Sequence, residues 1–383
     1  MDEVKSTRAS RAGSPRVLLC MGPGGVGKTT CAAALALAKA ARGSRVVVVT
    51  IDPSYRLAQA LGIEGEGGVS GAVRSVQLPG GGGALDALLL DSSAVFDAVV
   101  RAGAKSEQAA SAMLENSIYQ ATSRYLGGAL EYAAMARLQM LYEEGAHDLI
   151  VLDTPPAANA LEFLEAPSRV RALIDNPAAK VVLGGGRVGG RLLGLGAATL
   201  MKVLGRMGGG EFVRDLAGFL SEFSGMIEDF HRRGARFERA LQSPSSSALV
   251  VTSSATFSVQ ETIEFADALR RFGVQVRATL VNRVTPDPGP LLDRAELEAM
   301  LSSRGSARVG APDDLEWAYE AHRQSAEAHG RSLDAIARLD ERFPDVKNIR
   351  VERRDPAPED LGALLALGSV LWDQLEGADE GAQ

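Results

Sequence analysis

The sequence predicts an α/β fold in which a doubly wound, mostly parallel sheet carries an inserted helical subdomain. Two observations lead to this expectation. Short runs of uninterrupted apolar residues, such as the four consecutive valines within Arg45–Thr50, are typical of strands buried on both faces of a parallel sheet. These runs alternate with Ala- and Leu-rich stretches of helical length, which is the order that β-α-β units require.

The individual elements follow from the same patterns. Arg16–Met21 is a short apolar run that stops at Gly22, as a buried strand does. Lys28–Ala41 contains no helix breaker and is closed by Gly43, which predicts a helix. Further apolar strands are predicted at Asp148–Leu152, Ala248–Thr252 and Val276–Val281, and a last helix at Glu359–Leu375.

Two long stretches lack a strand pattern. Residues 93–144 and 167–241 are rich in Ala, Leu, Met, Glu and Arg, and each is flanked by predicted strands. We interpret both as helical insertions into one domain that spans residues 15–375, rather than as separate domains. Residues 1–14 and 376–383 are expected to be disordered tails.

Composition narrows the possible classes of function. The 383 residues carry 41 basic and 48 acidic side chains, a net charge of −7 that disfavours binding to nucleic acid. No apolar run approaches the roughly 18 to 20 residues of a membrane span, and residues 1–15 lack the apolar core of a signal peptide. Two cysteines are too few for a disulfide framework or a four-cysteine zinc site. We therefore expect a soluble, cytoplasmic protein without stable membrane insertion.

The most specific signal is a phosphate-binding loop. Residues 22–29, GPGGVGKT, match G-x-x-x-x-G-K-[ST] between a predicted strand and a predicted helix, the context of a P-loop NTPase fold. Backbone N–H groups of such a loop surround phosphate oxygens, and the alternative, a chance glycine turn, does not explain the flanking elements. The predicted phosphate ligands are Gly24, Gly25, Val26, Gly27, Lys28, Thr29 and Thr30. Lys28 would contact the β- and γ-phosphates, Thr29 would ligate Mg²⁺ and Thr30 would contact the α-phosphate.

Two carboxylates follow predicted strands at the edge where such sheets bind ligands. Asp153 fits the residue that holds Mg²⁺ directly or through water. Asp52 is then the candidate that orients the attacking water or accepts its proton, and it is also a predicted metal ligand. The structural alternative for either residue is a helix cap or a turn before proline.

Three segments together resemble one family. GPGGVGKTT, VVVVTIDPSYRLAQALG and HDLIVLDTPPAANALEFLEAP are similar to the P-loop, switch I and switch II of the arsenite-pump and tail-anchored-protein-targeting ATPases. The similarity covers most of residues 16–355. It implies an ATPase with Mg²⁺ that works as a nucleotide-gated dimer. It also implies that Asn282 contacts the adenine edge, for which a turn residue at a strand end is the alternative.

The sequence departs from this family at Pro23. The family usually has a lysine there that reaches the phosphates of the partner subunit, and proline carries no charge. Three outcomes stay open, namely a slow ATPase, a nucleotide-held switch, or a heterodimer with a paralogous ATPase that donates the lysine. Cys20 and Cys31 flank the loop, and we expect both to be buried and to pack as small hydrophobic residues. The triad of cysteines with which the family senses metalloids is therefore absent.

The rest of the chain gives weaker signals. Residues 192–230 place Met, Phe and Leu at helical spacing, which fits either a groove for a hydrophobic protein client or simple packing. Trp317 and Trp372 are expected to be packing residues. The rival function is a nucleotide-binding scaffold with little turnover, which the missing lysine favours.

Overall fold

The strands lie between residues 17 and 352 of a computed structural model. This structure describes residues 16–51, 56–63, 73–104, 106–116, 119–120, 129–154, 164–165, 232, 234–303, 312–354, 357–358 and 360–377. The strands are β1 (Val17–Met21), β2 (Arg45–Thr50), β3 (Val73–Val76), β4 (Ala84–Leu89), β5 (Leu149–Asp153), β6 (Ser246–Ser253), β7 (Val276–Val284) and β8 (Lys347–Glu352).

Helices connect these strands. They are α1 (Lys28–Ala41), α2 (Arg56–Ala60), α3 (Ser92–Gly103), α4 (Glu107–Glu115), α5 (Ala129–Glu144), α6 (Thr256–Arg271), α7 (Arg294–Ser303), α8 (Pro312–Arg342) and α9 (Leu361–Glu376). Residues 234–241 are also helical. Side-chain caps define several starts; for example, the carboxylate of Asp360 accepts from the backbone N–H of Ala363 at the beginning of α9.

One sheet holds all eight of these strands, in the order β3-β4-β2-β5-β1-β6-β7-β8. Neighbours are parallel except for β3, which runs antiparallel to β4. The register pairs Cys20 of β1 with Asp153 of β5, and Asp153 in turn with Thr50 of β2. The carboxyl ends of β1, β2 and β5 therefore meet at one edge, as predicted for this fold class.

Both faces of the sheet are buried, which explains the continuous apolar runs. Along β1, Leu18 and Cys20 belong to the core on one face, and Val17, Leu19 and Met21 belong to the core on the other. All five residues are at most 1% exposed. Helices on the two faces thus confirm the doubly wound α/β class.

Close packing between α1 and α9 anchors the first helix. An ideal Cβ on Gly368 would lie 1.9 Å from the backbone oxygen of Ala34, so the two helices approach at a point where a side chain does not fit. The indole Nε1 of Trp372 donates to the backbone oxygen of Leu35 at 2.8 Å. Lys39 lies over the Trp372 ring and pairs with Glu376 at 2.8 Å. Helix α9 ends at Glu376, so the first residue of the predicted tail 376–383 belongs to the helix.

The predicted elements are largely confirmed where the structure describes them. Helix α1 and strand β2 have the predicted bounds, and the other four predicted strands shift by one to three residues at their ends. Helices α3, α4 and α5 occupy the 93–144 stretch, and α3 begins one residue before it. Most of 167–241, including 192–230, lies outside the described residues, so the division into one domain with two insertions stays a prediction.

Two expectations were incomplete or wrong. Strands β3, β4 and β8 were not predicted, because their sequences mix exposed and buried residues instead of forming apolar runs. Trp317 is 75% exposed on α8, so the prediction that it packs in the core is wrong. Trp372 is 1% exposed, as predicted.

Candidate functional site

The loop between β1 and α1 takes a backbone conformation that favours glycine at several positions. Gly22, Gly25 and Gly27 have φ values of +143°, +74° and +97°, which residues with side chains rarely adopt. Gly22 also lies so close to β6 that an ideal Cβ would be 2.0 Å from the backbone oxygen of Val251. The backbone therefore requires the glycines of the motif and holds the loop against β6.

Helix α1 begins directly at the end of this loop. Its N-cap is Gly27, which has no side chain with which to cap the first backbone N–H groups, and its first turn contains no acidic residue. Gly24 and Gly25 are exposed, and Val26 is buried. Backbone N–H groups and the helix dipole together favour an anion at such a terminus. The geometry is therefore suited to a phosphate group.

Lys28 brings a positive charge to the same place. It is the first residue of α1, it is only 7% exposed, and its Nζ donates to the backbone oxygen of Pro23 at 2.6 Å. The side chain thus folds back over the loop that precedes it. Thr29 and Thr30 follow on the first turn of α1 and are half-buried. Pro23 itself is buried in this arrangement.

Asp153 ends β5 beside the loop. The residue is fully buried, and its Oδ2 accepts a hydrogen bond of 3.1 Å from the hydroxyl of Thr50 on β2. The next hydroxyl, that of Thr154, donates to the backbone oxygen of Cys20 at 3.0 Å and ties the end of β5 to β1. A buried carboxylate at this edge is suited to a cation or to a water bound by one.

The second carboxylate, Asp52, lies outside the described residues, so its predicted role stays a prediction. Ile51, which precedes it, is 1% exposed, and its backbone N–H donates to the backbone oxygen of Asp153 at 3.1 Å. Among the described ranges, no three His, Cys, Asp or Glu side chains are grouped so that they could hold a metal ion. Thr29 and Asp153 are the two predicted metal ligands that the structure describes.

The two cysteines are free and buried on either side of the loop. Burial is the main cause that raises the pKa of the Cys31 thiol to about 12, and the negative charge of Asp153 raises it further. Burial also raises the pKa of Cys20 well above its usual value, with additional contributions from Cys31 and Asp153. Both residues act as small apolar side chains here, as predicted.

Asn282 lies against the P-loop from the carboxyl end of β7. Its Nδ2 donates to the backbone oxygen of Val26 at 2.8 Å, and its Oδ1 accepts from the backbone N–H of Arg283 at 2.9 Å. Arg283 has a φ of +58°, a left-handed conformation uncommon for a residue with a side chain. The structure thus brings Asn282 to the loop, and its predicted contact with adenine stays a prediction.

Sequence reasoning missed two residues of this site, Thr50 and Thr154. Both are buried hydroxyl residues at the carboxyl ends of apolar strands, where the core alone would favour an aliphatic side chain. The available signal was a polar residue at the end of an apolar run or directly after it. Only the sheet order showed that Thr50 is a neighbour of Asp153.

The chain matches the family model described as Anion-transporting ATPase over residues 15–291, which is more than half of its length. It belongs to this ATPase family. The match contains the P-loop, both predicted switch carboxylates and Asn282. The resemblance noted from the sequence is thereby confirmed at the level of the family.

The chain is also similar to curated proteins from several organisms, two of which are named as ATPases. The chain is 36% identical to an uncharacterized protein of Streptomyces coelicolor over 157 residues, 41% of this chain and 38% of that protein. It is 23% identical to a putative arsenical pump-driving ATPase 1 of Aquifex aeolicus, over 71% of this chain and 64% of the relative. An ATPase get3 of Aspergillus terreus is 22% identical, over 74% and 77% of the two chains.

The chain thus spans less than two thirds of the length of the first two of these relatives. Within the ranges that the structure describes, no helix combines the length and the apolar character needed to cross a lipid bilayer.

Proposed function

We propose that this member of the anion-transporting ATPase family binds and hydrolyses ATP with Mg²⁺ and acts as a dimeric switch. The observation that carries the proposal is the meeting of three features at one sheet edge. These are the start of α1 directly after Gly27, the buried ammonium of Lys28, and the buried carboxylate of Asp153. A site for a polyanion and its counter-cation needs this combination.

Each part of the P-loop has a role in holding the triphosphate. Backbone N–H groups of Gly24, Gly25, Val26 and Gly27 would surround the phosphate oxygens, and Lys28 would exchange its bond to Pro23 for one to the β- and γ-phosphates. Thr29 and Thr30 would follow with their hydroxyl and amide groups. The left-handed glycines support this role because side chains at these positions would disturb the loop.

Mg²⁺ would be held by Thr29, Asp153 and Asp52, directly or through water. When bound, the ion neutralises charge that builds up on the phosphates during transfer. Asp153 fits this part because its carboxylate is buried and kept in place by Thr50 at 3.1 Å. In our proposal, Asp52 orients the attacking water and accepts its proton, and Asn282 contacts the adenine edge.

Pro23 determines the rate of ATP hydrolysis that we expect. A proline cannot donate a charged group to a partner subunit, and its carbonyl here accepts the bond from Lys28. An inserted cation is worth orders of magnitude in phosphoryl transfer. We therefore propose slow turnover in a homodimer, or a heterodimer in which a paralogous ATPase supplies the lysine. We further propose that the nucleotide state opens a helical surface to a hydrophobic protein client in the cytoplasm. Residues 192–230, for which packing is the alternative role, are the candidate segment and lie outside the described residues.

A second candidate function is a nucleotide-binding scaffold or regulatory subunit with little turnover. Pro23 favours it, because the chain carries the proposed nucleotide ligands but has a proline where the family usually has the cross-subunit lysine. The two candidates differ in hydrolysis but not in ATP binding.

Phosphate release by the purified full chain tests these candidates. If the chain is an ATPase, the wild type should release phosphate faster than Lys28→Ala and Asp52→Asn. If it is a scaffold, all three proteins should release phosphate at the same rate. Sedimentation with and without ATP adds a test of the dimer. We expect a dimer that becomes more compact in ATP, so an unchanged sedimentation coefficient would contradict the nucleotide-gated dimer even if hydrolysis were present.

A further inference from the structure

Asn282 connects the outer half of the sheet to the P-loop. We infer that Asn282 is a positioning residue, which holds the Val26–Gly27 peptide in its phosphate-binding orientation whether or not a base is bound. The inference rests on the proposed ATP-binding function. It gives Asn282 a role that is separate from contact with adenine.

The amide of Asn282 is fixed at both of its polar atoms. Oδ1 accepts from the backbone N–H of Arg283 at 2.9 Å, and Nδ2 donates to the backbone oxygen of Val26 at 2.8 Å. Because a backbone N–H can only donate, the bond from Arg283 determines which end of the amide is oxygen. The nitrogen then faces Val26. The left-handed turn at Arg283 places its N–H where the side chain of Asn282 can use it.

The amide also fills the space that Gly27 leaves. An ideal Cβ on Gly27 would lie 2.5 Å from Asn282 Nδ2, closer than real Cβ atoms come to other heavy atoms. Gly27 also has a φ of +97°. Two independent features, a missing side chain and a hydrogen bond, therefore bring Asn282 against the same peptide of the loop.

The bond to Val26 acts on a single peptide group. In a trans peptide the C=O and the following N–H point in opposite directions within one plane. With the oxygen of Val26 directed at Asn282, the N–H of Gly27 points away from Asn282. Rotating this peptide would break a hydrogen bond at a residue, Val26, that is only 3% exposed. Asn282 thus fixes the direction of one N–H at the start of α1, where phosphate is expected.

Positioning and base contact are chemically compatible. The amide nitrogen has a second hydrogen and the oxygen a second lone pair, so adenine can be contacted while the bond to Val26 persists. The two roles differ in which ligands they affect. A residue that only contacts the base acts on ATP alone, and a residue that positions the loop acts on every triphosphate.

The test compares two ligands of the full chain by titration calorimetry in Mg²⁺, namely ATP and inorganic tripolyphosphate, which has no base or ribose. We expect Asn282→Ala to weaken the binding of tripolyphosphate by a factor of about ten, as the loss of one hydrogen bond predicts, and to weaken the binding of ATP by at least as much. Asn348→Ala is the matched control, because it removes the same side chain from the neighbouring strand β8 and should leave both affinities unchanged.

A loss of ATP affinity alone in Asn282→Ala would overturn the inference. If the wild-type chain binds neither ligand, the proposed function fails, and the inference fails with it. Asn282→Ser replaces the alanine variant if that variant does not fold. Hydrogen exchange of the ligand-free protein gives a second measurement. The backbone amides of residues 22 and 24–27 should exchange faster in the variant than in the wild type, and equal exchange would overturn the inference.

Discussion

The hydroxyl of Thr50 donates to Oδ2 of Asp153 across the neighbouring strands β2 and β5, at 3.1 Å and at residues that are 1% and 0% exposed. A buried hydrogen bond to a charged group contributes more to stability than an exposed hydrogen bond does. This bond fixes one oxygen of the carboxylate at the carboxyl ends of β2 and β5.

Thr50→Val removes this hydroxyl and keeps the shape of the side chain. We expect the free energy of unfolding to fall by about 1–3 kcal/mol, because a buried carboxylate loses a donor. Urea denaturation measures the change. Thr262→Val is the control, since Thr262 is equally buried and its hydroxyl makes no hydrogen bond among the described residues. Equal losses in both variants would contradict the role of the Thr50 bond.

Two helical glycines respond oppositely to alanine. Gly330 lies within α8 with open space where a Cβ would lie, so Gly330→Ala should stabilise by about 1 kcal/mol through helix propensity. Gly368 lies within α9, where a Cβ would be 1.9 Å from the backbone oxygen of Ala34. Gly368→Ala should therefore destabilise by about 2 kcal/mol or more, as overpacking does. Thermal unfolding compares them. A Gly368→Ala variant as stable as the wild type would show that α1 and α9 do not pack this closely, and a loss of stability in Gly330→Ala would contradict the open space at Gly330.

The buried thiols predict a loss of stability in alkaline solution. Because the pKa of Cys31 is raised to about 12, the folded thiol keeps its proton while the unfolded thiol loses it near its ordinary pKa of 9.0. Between these values the unfolded state binds fewer protons, so stability falls by up to about 1.4 kcal/mol per pH unit. Urea midpoints at pH 8 to 10 should show this fall, with a shallower slope in Cys31→Ala. A slope unchanged by the substitution would contradict it.

The two tryptophans predict a fluorescence experiment. Trp317 is 75% exposed and Trp372 is 1% exposed. We expect acrylamide to quench about half of the emission readily, and we expect Trp317→Phe to remove this accessible component. Trp372→Phe should instead leave emission that is almost fully quenched. Protection of Trp317 in the wild type would indicate that another surface covers it.

The sequence was sufficient for the parts of this molecule that repeat a simple physical rule. The bounds of β2, with its four valines, and of α1, with its alanines, match the prediction. Each of these elements has one face or two faces that are wholly buried. Edge strands such as β8 alternate buried and exposed residues, and a short alternating pattern is also common in loops.

The same limit applies to the site. The motif placed Lys28 and the loop glycines, since that chemistry is local in sequence. The bond from Asn282 to Val26 joins residues 256 positions apart, and the bond from Thr50 to Asp153 joins residues 103 apart. Such pairs depend on sheet order and register, which only the three-dimensional structure supplies.

The most direct measurement is the binding of ATP to the full chain by equilibrium dialysis in Mg²⁺. We expect one nucleotide per chain for the wild type and a loss of at least about tenfold in affinity for Lys28→Ala, since a buried charged contact to phosphate is removed. Lys39→Ala changes the same residue type at the other end of α1, where Lys39 pairs with Glu376, and should bind as the wild type does. Retention of no purine nucleotide by the wild type, or equal binding by Lys28→Ala, would contradict the account.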